Sequence, residues 1–108
     1  MFAASFIFTP GEYDDEFYAL DQSIQDLADA MPGFLGVDRW YSEDGKSKNV
    51  IYYFTDQQSV QEFASYSEHR EAKAKYAKWY KGYQVVISEV KATYGDGNYP
   101  HITNSGRP

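Results

Sequence analysis

Hydrophobic and polar residues follow two different periods along the chain. Four segments alternate with a period of two or are rich in aromatic and β-branched residues, and both patterns are typical of strands. Two other segments repeat apolar residues at spacings of three and four, which indicates amphipathic helices. The predicted strands are residues 2–9, 34–42, 48–55 and 83–94, and the predicted helices are residues 14–31 and 55–81. The predicted order is therefore βαββαβ.

The second predicted helix carries two start signals. Thr55 begins the helix, and Gln58 follows it at the spacing of a capping box. Ser67 is predicted to be a fresh N-cap for a second segment over 68–81, so we expect the helix to kink near Tyr66. Gly82 is the expected C-terminal stop of that segment.

This order of elements predicts an α+β fold. Right-handed crossovers give a ferredoxin-like, four-stranded antiparallel sheet with both helices on one face. Apolar residues occur on both faces of the first, second and fourth strands, so the face without helices would be a large apolar patch. We expect a second copy of the chain to cover it in a two-fold homodimer. The domain is predicted over 1–95, and the turn-rich tail, 96–108, is expected to be disordered or wrapped on a partner.

Aromatic residues are unusually frequent, at 19% of a chain of 108 residues. Two interpretations stay open. The first is a tyrosine-rich core with an aromatic dimer seam. The second is an aromatic-lined pocket for a small, flat organic ligand.

Composition excludes several classes of function. The chain has no cysteine, which excludes disulfides, thiolate catalysis and Cys-ligated zinc. It has no glycine-rich phosphate loop, no paired histidines at metal spacing and no Gly-x-Ser-x-Gly elbow, so no metal site is predicted. The net charge of −6 argues against nucleic acid as a partner. Without a basic leader or a long apolar run, no membrane association is expected, and a cytoplasmic location is the default expectation.

Charge is distributed unevenly along the chain. Residues 12–29 contain seven acids and no base, whereas residues 70–81 contain five bases and one acid. We therefore expect the two helices to lie near one another, with their opposite charges in reach.

His69 is the candidate proton acceptor, since the other histidine, His101, lies in the predicted tail. Helical spacing places His69 on one stripe with Tyr76, Trp79 and Tyr80. A catalytic histidine beside two tyrosine hydroxyls would produce this pattern. A core-facing helix that carries a surface histidine would produce it too, and both interpretations stay open.

Two strands carry adjacent candidates that must point to opposite faces of the sheet. Arg39 and Trp40 lie on the second strand, and Tyr52 and Tyr53 lie on the third. Trp40 is either a pocket wall or part of the dimer seam. Arg39 either holds an anionic oxygen of a ligand or is a solvated residue paired with a nearby acid.

Three segments together resemble the antibiotic biosynthesis monooxygenase (ABM) domain family. They are Met-Pro-Gly-Phe-Leu-Gly-Val at 31–37, Glu-His-Arg-Glu-Ala at 68–72, and Trp79-Tyr80 before the last strand. The resemblance covers residues 2–95 and implies a dimeric α+β barrel, with a pocket in each subunit between helices and sheet. Known members include cofactor-independent monooxygenases of quinols and anthrones, and haem-degrading monooxygenases.

The resemblance implies a cofactor-independent monooxygenase acting on an electron-rich aromatic substrate such as a quinol, an anthrone or a polyketide-like ring. In that hypothesis His69, Tyr76 and Tyr80 are catalytic, and the substrate-binding residues are Phe63, Trp40, Trp79, Tyr53 and Arg39. The alternatives are a haem-binding or haem-degrading enzyme and a non-enzymatic binding module of the same fold. The residues that haem degraders use fall near Ala4, Phe63 and Lys73, and none of the three matches.

Overall fold

The computed structural model describes residues 1–69 and 78–103. Within these residues six elements follow in the predicted order. They are β1 (Phe2–Pro10), α1 (Asp15–Ala30), β2 (Phe34–Tyr41), β3 (Lys48–Phe54), α2 (Gln57–His69) and β4 (Tyr80–Glu89). The strands form one antiparallel sheet in the order β2-β3-β1-β4, which is the ferredoxin-like arrangement predicted from the sequence.

Helix α1 begins and ends close to its predicted positions. The Asp14 carboxylate accepts a hydrogen bond from the backbone N–H of Phe17 at 2.9 Å, as an N-cap residue does. Phe17 and Ala28 are buried on the face toward the sheet, and Ile24 and Leu27 pack against the core from the same side. The apolar stripe read from the sequence is therefore the face that α1 buries.

Helix α2 differs from its prediction at both of its start signals. It begins at Gln57, and Asp56 rather than Thr55 caps it, by accepting the backbone N–H of Ser59 at 2.8 Å. The helical backbone is continuous through Ser67, so the predicted fresh start at that residue is wrong. The capping preference of a serine is weak, and the backbone hydrogen bonds of a helix that continues on both sides outweigh it. Most of the predicted segment 68–81 lies outside the described residues.

Strand β4 begins three residues earlier than predicted and ends at Glu89. Gly82, predicted to stop a helix, instead pairs with Thr9 of β1. The pairing extends past the strand, because Gly11 N–H donates to the Trp79 carbonyl at 2.6 Å. A Cβ on Gly11 would lie 2.9 Å from the Trp79 carbonyl carbon, so a glycine is needed for this approach. Cross-strand pairing with β1 thus overrides the local stop signal.

The core lies between the helices and one face of the sheet, here called the inner face. It contains alternate residues of β1 and β3 together with residues of both helices. Its buried members are Ala4, Phe8, Ala28, Val50, Tyr52, Phe54, Val60 and Phe63. None of the described helices is long and apolar enough to cross a membrane.

The opposite face of the sheet, here called the outer face, is partly covered by residues 101–103. His101 Nε2 lies 2.5 Å from Asp38 Oδ2, and its ring meets the Tyr53 ring edge-on at 5.7 Å between centroids. Ile102 packs on Gly36, where φ is +150° and a Cβ would lie 2.8 Å from Ile102 Cγ1. These residues therefore contact their own chain, an arrangement that neither expectation for the tail had included.

Candidate functional site

A cavity of about 370 Å³ lies between the helices and the inner face. Most of its lining is apolar or aromatic. The lining residues are Ala4, Ser5, Phe6, Phe8, Tyr13, Phe17, Tyr18, Asp21, Ile24, Arg39, Lys48, Val50, Tyr52, Phe63, Ala64, Tyr80, Tyr83 and Val85. Strand alternation explains the lining residues of β3 and, apart from Ser5, those of β1, since every second residue of these strands faces the helices.

Tyr80 stands at the centre of the aromatic wall. Its ring meets Phe8 at 4.8 Å, Phe6 at 5.1 Å and Phe17 at 5.9 Å between centroids, each in an edge-on arrangement. On the other side of the cavity, the Tyr52 and Phe63 rings lie 4.6 Å apart. These rings give a flat ligand aromatic surface to pack against.

Tyr13, Tyr52 and Tyr80 are three of the five tyrosines in this lining, beside Tyr18 and Tyr83. Burial raises the pKa of all three, and for Tyr52 it does so to about 12, with the Asp21 carboxylate adding to the effect. All three hydroxyls are therefore protonated at neutral pH and are hydrogen-bond donors. Within the described part of the chain they have no hydrogen-bond partner. Unpaired donors in a half-buried site are available to a ligand.

Three charged side chains complete the lining. Asp21 comes from α1, and the cations Arg39 and Lys48 come from β2 and β3. Arg39 Nη2 donates to Gln25 Oε1 at 3.0 Å. Lys48 Nζ lies 5.2 Å from the centroid of the Tyr41 ring. The cavity therefore has a carboxylate on its helical wall and two cations on its sheet floor.

The structure brings together three of the predicted site residues. Phe63, Tyr80 and Arg39 all line the cavity. Trp40 and Tyr53 lie on the outer face, because strand alternation turns them away from Arg39 and Tyr52.

Trp79 also lies outside the cavity lining. It is 1% exposed, its indole N–H donates to Asp14 Oδ1 at 3.1 Å, and its ring packs edge-on against Phe17 at 5.5 Å between centroids. Lys78 forms a salt bridge with the same Asp14 carboxylate. Trp79 therefore helps to fix the start of α1, and the Lys78 pair is one described contact of the kind expected from the opposite charges of the helices.

His69 and Tyr76 stay predictions. His69 is the last residue of α2 as described, and the environment of its side chain lies outside the described features. Tyr76 lies outside the described residues.

Among the lining residues that were not predicted as site residues are Tyr13, Asp21, Lys48 and Tyr52, the last of which had been left open against its neighbour Tyr53. Two of them carried a signal. The period of two places Tyr52 and Lys48 on the same face of the strand as the buried Val50, so this period indicates that both point toward the helices. Asp21 lies one turn after Phe17 and carried a weaker signal, because a charge at the border of an apolar stripe is usually solvated.

A second polar cluster lies on the outer face around Asp38. Its Oδ2 accepts a hydrogen bond from the Tyr53 hydroxyl at 3.2 Å and lies 2.5 Å from His101 Nε2. His101 Nδ1 accepts the backbone N–H of Thr103 at 3.1 Å, so the proton of a neutral imidazole lies on Nε2, toward Asp38. Burial and then the Asp38 charge raise the pKa of Tyr53. Each of these groups is paired, so the cluster anchors residues 101–103.

No cluster of three or more His, Cys, Asp or Glu side chains suited to a metal ion occurs among the residues that the structure describes.

Comparison with known proteins agrees with this fold. A relative from Bacillus subtilis (strain 168), the uncharacterized protein YqjZ, is 29% identical over 90 residues, which covers 82% of this chain and 78% of YqjZ. SnoaB, a cofactor-independent oxygenase from Streptomyces nogalater, is similar with a TM-score of 0.60 and 14% identity over 85% of this chain and 94% of SnoaB.

A monooxygenase from the gene ActVA-Orf6 of Streptomyces coelicolor, in complex with the ligand nanaomycin D, is also similar in structure. Its TM-score is 0.56 and its identity is 19%, over 86% of this chain and 89% of that protein. At such identities both solved structures show the fold alone. The family model of the monooxygenase af470-like proteins matches residues 6–92, from the first strand to just beyond the last. Because that match spans all six elements, this chain belongs to the monooxygenase af470-like family, which is of the ABM type resembled by the sequence.

Proposed function

We propose that this protein is a small cofactor-independent monooxygenase of an electron-rich aromatic substrate, such as a quinol, an anthrone or a polyketide-like ring. One observation carries the proposal: aromatic walls enclose three tyrosine hydroxyls that have no hydrogen-bond partner within the described residues. The cavity volume of about 370 Å³ suits one small molecule. The similarity to SnoaB, a cofactor-independent oxygenase, and to the ActVA-Orf6 monooxygenase that binds nanaomycin D supports the proposed activity.

In the proposed reaction the substrate itself supplies the electrons. A base removes a proton, and the resulting carbanion or phenolate transfers an electron to dioxygen. Recombination of the radicals forms a C–O bond and, after protonation, a hydroperoxide. Loss of water then leaves a carbonyl, so a CH₂ group and O₂ become C=O and H₂O, and no external reductant is consumed.

The cavity would lower the barrier to the first step. The hydroxyls of Tyr52 and Tyr80 stay protonated because burial raises their pKa, so they donate hydrogen bonds to the oxygen on which negative charge develops. Phe63 on α2 would form one wall for the substrate ring. Few water molecules fit beside a bound ring in a site of this size, which strengthens these hydrogen bonds.

His69 is our proposed proton acceptor, with Tyr76 as a further polar group beside it. Imidazole is the side chain that exchanges protons most readily near neutral pH. The Asp21 carboxylate is the competing acceptor within the described lining. His69→Ala is expected to keep the fold and remove most turnover, whereas full activity in that variant would move the role to Asp21.

We propose also that the protein is a homodimer joined through the outer face. Ile7, Trp40 and Val86 lie on that face and are 37%, 48% and 44% exposed, which is a large apolar surface for a single chain. Trp40 and Tyr53 would then belong to the dimer seam, or lie beside it, rather than to the substrate site.

The decisive test is oxygen uptake by the purified protein with a panel of quinols and anthrones, without added flavin, metal or haem. We expect uptake with a product that has gained one oxygen and lost two hydrogens by mass. Tyr80→Phe should slow this turnover, while Tyr94→Phe, which changes a tyrosine that is 93% exposed, should not. If no substrate consumes oxygen and added haemin instead gives a Soret band that His69→Ala abolishes, the haem alternative replaces this proposal.

A further inference from the structure

The cavity is charged asymmetrically, and the asymmetry bears on which aromatic molecules it accepts. Arg39 pairs with Val50 across β2 and β3, and Lys48 pairs with Tyr41 two residues along the same ladder. Arg39 and Lys48 are therefore diagonal neighbours on the inner face, a relation in which long side chains reach one another's surroundings. Both belong to the cavity lining. The sheet floor thus presents two positive charges side by side.

Within the described residues neither cation is paired with a carboxylate. The contact that holds the Arg39 guanidinium is with the Gln25 amide, which carries no charge. The Lys48 ammonium lies near the rings of Tyr41 and Phe8, at 5.2 and 6.0 Å from their centroids. Among the described residues no salt bridge joins either cation to an acid. In a chain of net charge −6, two adjacent cations without an acidic partner in the described structure are suited to bind an anionic ligand.

The carboxylate in the described lining, Asp21, stands on the helical wall rather than on the floor. Its charge and the charge of Arg39 both reach the Tyr52 hydroxyl, and they act on the pKa of Tyr52 in opposite directions. A polar axis therefore crosses the cavity. A bound anion is attracted to the floor and repelled from the helical wall, so the axis would also set the orientation of the ring.

We infer that the natural substrate is an aromatic molecule that carries a carboxylate, and that Arg39 and Lys48 bind this group. The inference rests on the proposed function, since it places the ligand in the same cavity. It goes further by requiring an ionised acid on the substrate. The planar guanidinium of Arg39 can donate two parallel hydrogen bonds to the two oxygens of a carboxylate, and the Lys48 ammonium adds a second positive charge beside it.

The test compares two ligands of one ring system, anthraquinone-2-carboxylate and anthraquinone-2-carboxamide. Their dissociation constants are measured by quenching of protein fluorescence at low and at moderate salt. We expect the carboxylate to bind about tenfold more tightly than the amide, and the difference to shrink as salt screens the charges. Equal affinities for the two ligands would overturn the inference.

Variants locate the effect. The double variant Arg39→Gln with Lys48→Gln should lose the tenfold preference while binding the carboxamide as the parent protein does. Arg39→Lys keeps the charge without the fork and should keep part of the preference. Lys46→Gln removes an exposed charge of the β2–β3 turn, outside the lining, and should change nothing. A preference that survives the double variant would contradict the assignment to these two cations.

The same measurements separate this inference from the proposed activity. If the carboxylate is preferred but no oxygen is consumed with any substrate, the anion site is supported and the monooxygenase activity is refuted. If oxygen is consumed but the two ligands bind equally, the activity stands and the anion site falls. If neither ring binds to the parent protein, the cavity is not the ligand site and both proposals fall.

Discussion

Tyrosine side chains have different roles on the two faces of the sheet, and the neighbours Tyr52 and Tyr53 show the difference most directly. On the inner face Tyr52 is 8% exposed, and its hydroxyl has no partner within the described residues. On the outer face the Tyr53 hydroxyl donates to Asp38, which also holds His101. The Tyr52 donor thus has no partner in the described structure and faces the cavity, where a ligand can use it, whereas the Tyr53 donor is paired and helps to hold residues 101–103.

Core packing should provide the largest difference between regions of the molecule. Phe54 is fully buried on the inner face, against Phe34 and Phe63. Phe54→Ala should lower the free energy of unfolding by about 3–5 kcal/mol, because it removes buried area and leaves a void. Tyr94→Ala, at a residue that is 93% exposed, should stay within about 0.5 kcal/mol. Urea denaturation of both variants measures the contrast, and a similar loss in the two would refute the location of the core.

Association should depend on the outer face. Val86 pairs with Ser5 on that face and is 44% exposed. Val86→Lys places a charge in the proposed seam of both copies and should weaken the dimer by about a hundredfold, because each charge must be desolvated. Light scattering should then change from twice the 12.4 kDa of one chain to that single mass.

The control for association is Gln58→Lys, which adds the same charge at an exposed position of α2. It should leave the measured mass unchanged. A parent protein that already has the mass of one chain at micromolar concentration would remove the dimer from the proposal.

Removing one hydroxyl from each neighbouring tyrosine tests the comparison itself. Tyr53→Phe deletes a half-buried hydrogen bond to Asp38 and should cost about 0.5–1.5 kcal/mol of stability. Tyr52→Phe deletes a hydroxyl without a partner in the described chain, so stability should be unchanged or slightly higher while ligand binding weakens. Thermal melts with and without an anthraquinone ligand give both readouts. The opposite ranking of the two melts would show that the donors had been assigned to the wrong faces.

Lowering the pH should produce the smallest change in stability, and this change should come from Asp14 at the start of α1. Hydrogen bonds to Lys78, to the Phe17 backbone and to Trp79 lower the pKa of Asp14 to about 2. An unfolded aspartate titrates near about 3.9, so the contribution of Asp14 to stability is present above that pH and is lost as pH falls through about 2. The thermal midpoint should therefore fall over this window.

Asp14→Asn keeps a capping side chain and removes the charge, so it should flatten the acid-dependent fall in the midpoint. Asp15→Asn removes a neighbouring charge of the same helical turn and is the matched control. If Asp14→Asn and the parent protein lose stability in parallel below pH 4, the ion pair with Lys78 does not couple acid to folding.

Much of the fold followed from the sequence because its signals are local. The period of two in β1 and β3 and the apolar stripe of α1 each need only a few neighbouring residues. The two predictions of the fold that were wrong share one cause. Ser67 and Gly82 are local stop or start signals, and each was overridden by hydrogen bonds, those of the continuous helix α2 and those of β1 with β4.

The candidate site was less predictable, since it depends on which side of each strand faces the helices. Alternation showed that Arg39 and Trp40 must separate, as must Tyr52 and Tyr53, but it could not say which member of each pair faces inward. That choice depends on the pairing register between strands, and the bulge between Phe34 and Gly36 shifts it for β2. A shift of one residue exchanges the two faces.

The sequence by itself determined the order of elements, the abundance of aromatic side chains and the absence of thiol chemistry, since these depend on residue type and on short-range periodicity. The tertiary structure alone decided that Tyr13, Tyr52 and Tyr80 meet in one cavity with Arg39 and Lys48. It alone decided, too, that residues 101–103 return to Asp38 and Tyr53. The physical reason is that these contacts join residues far apart in sequence, and only the register of the sheet and the packing of the helices fix which of them become neighbours.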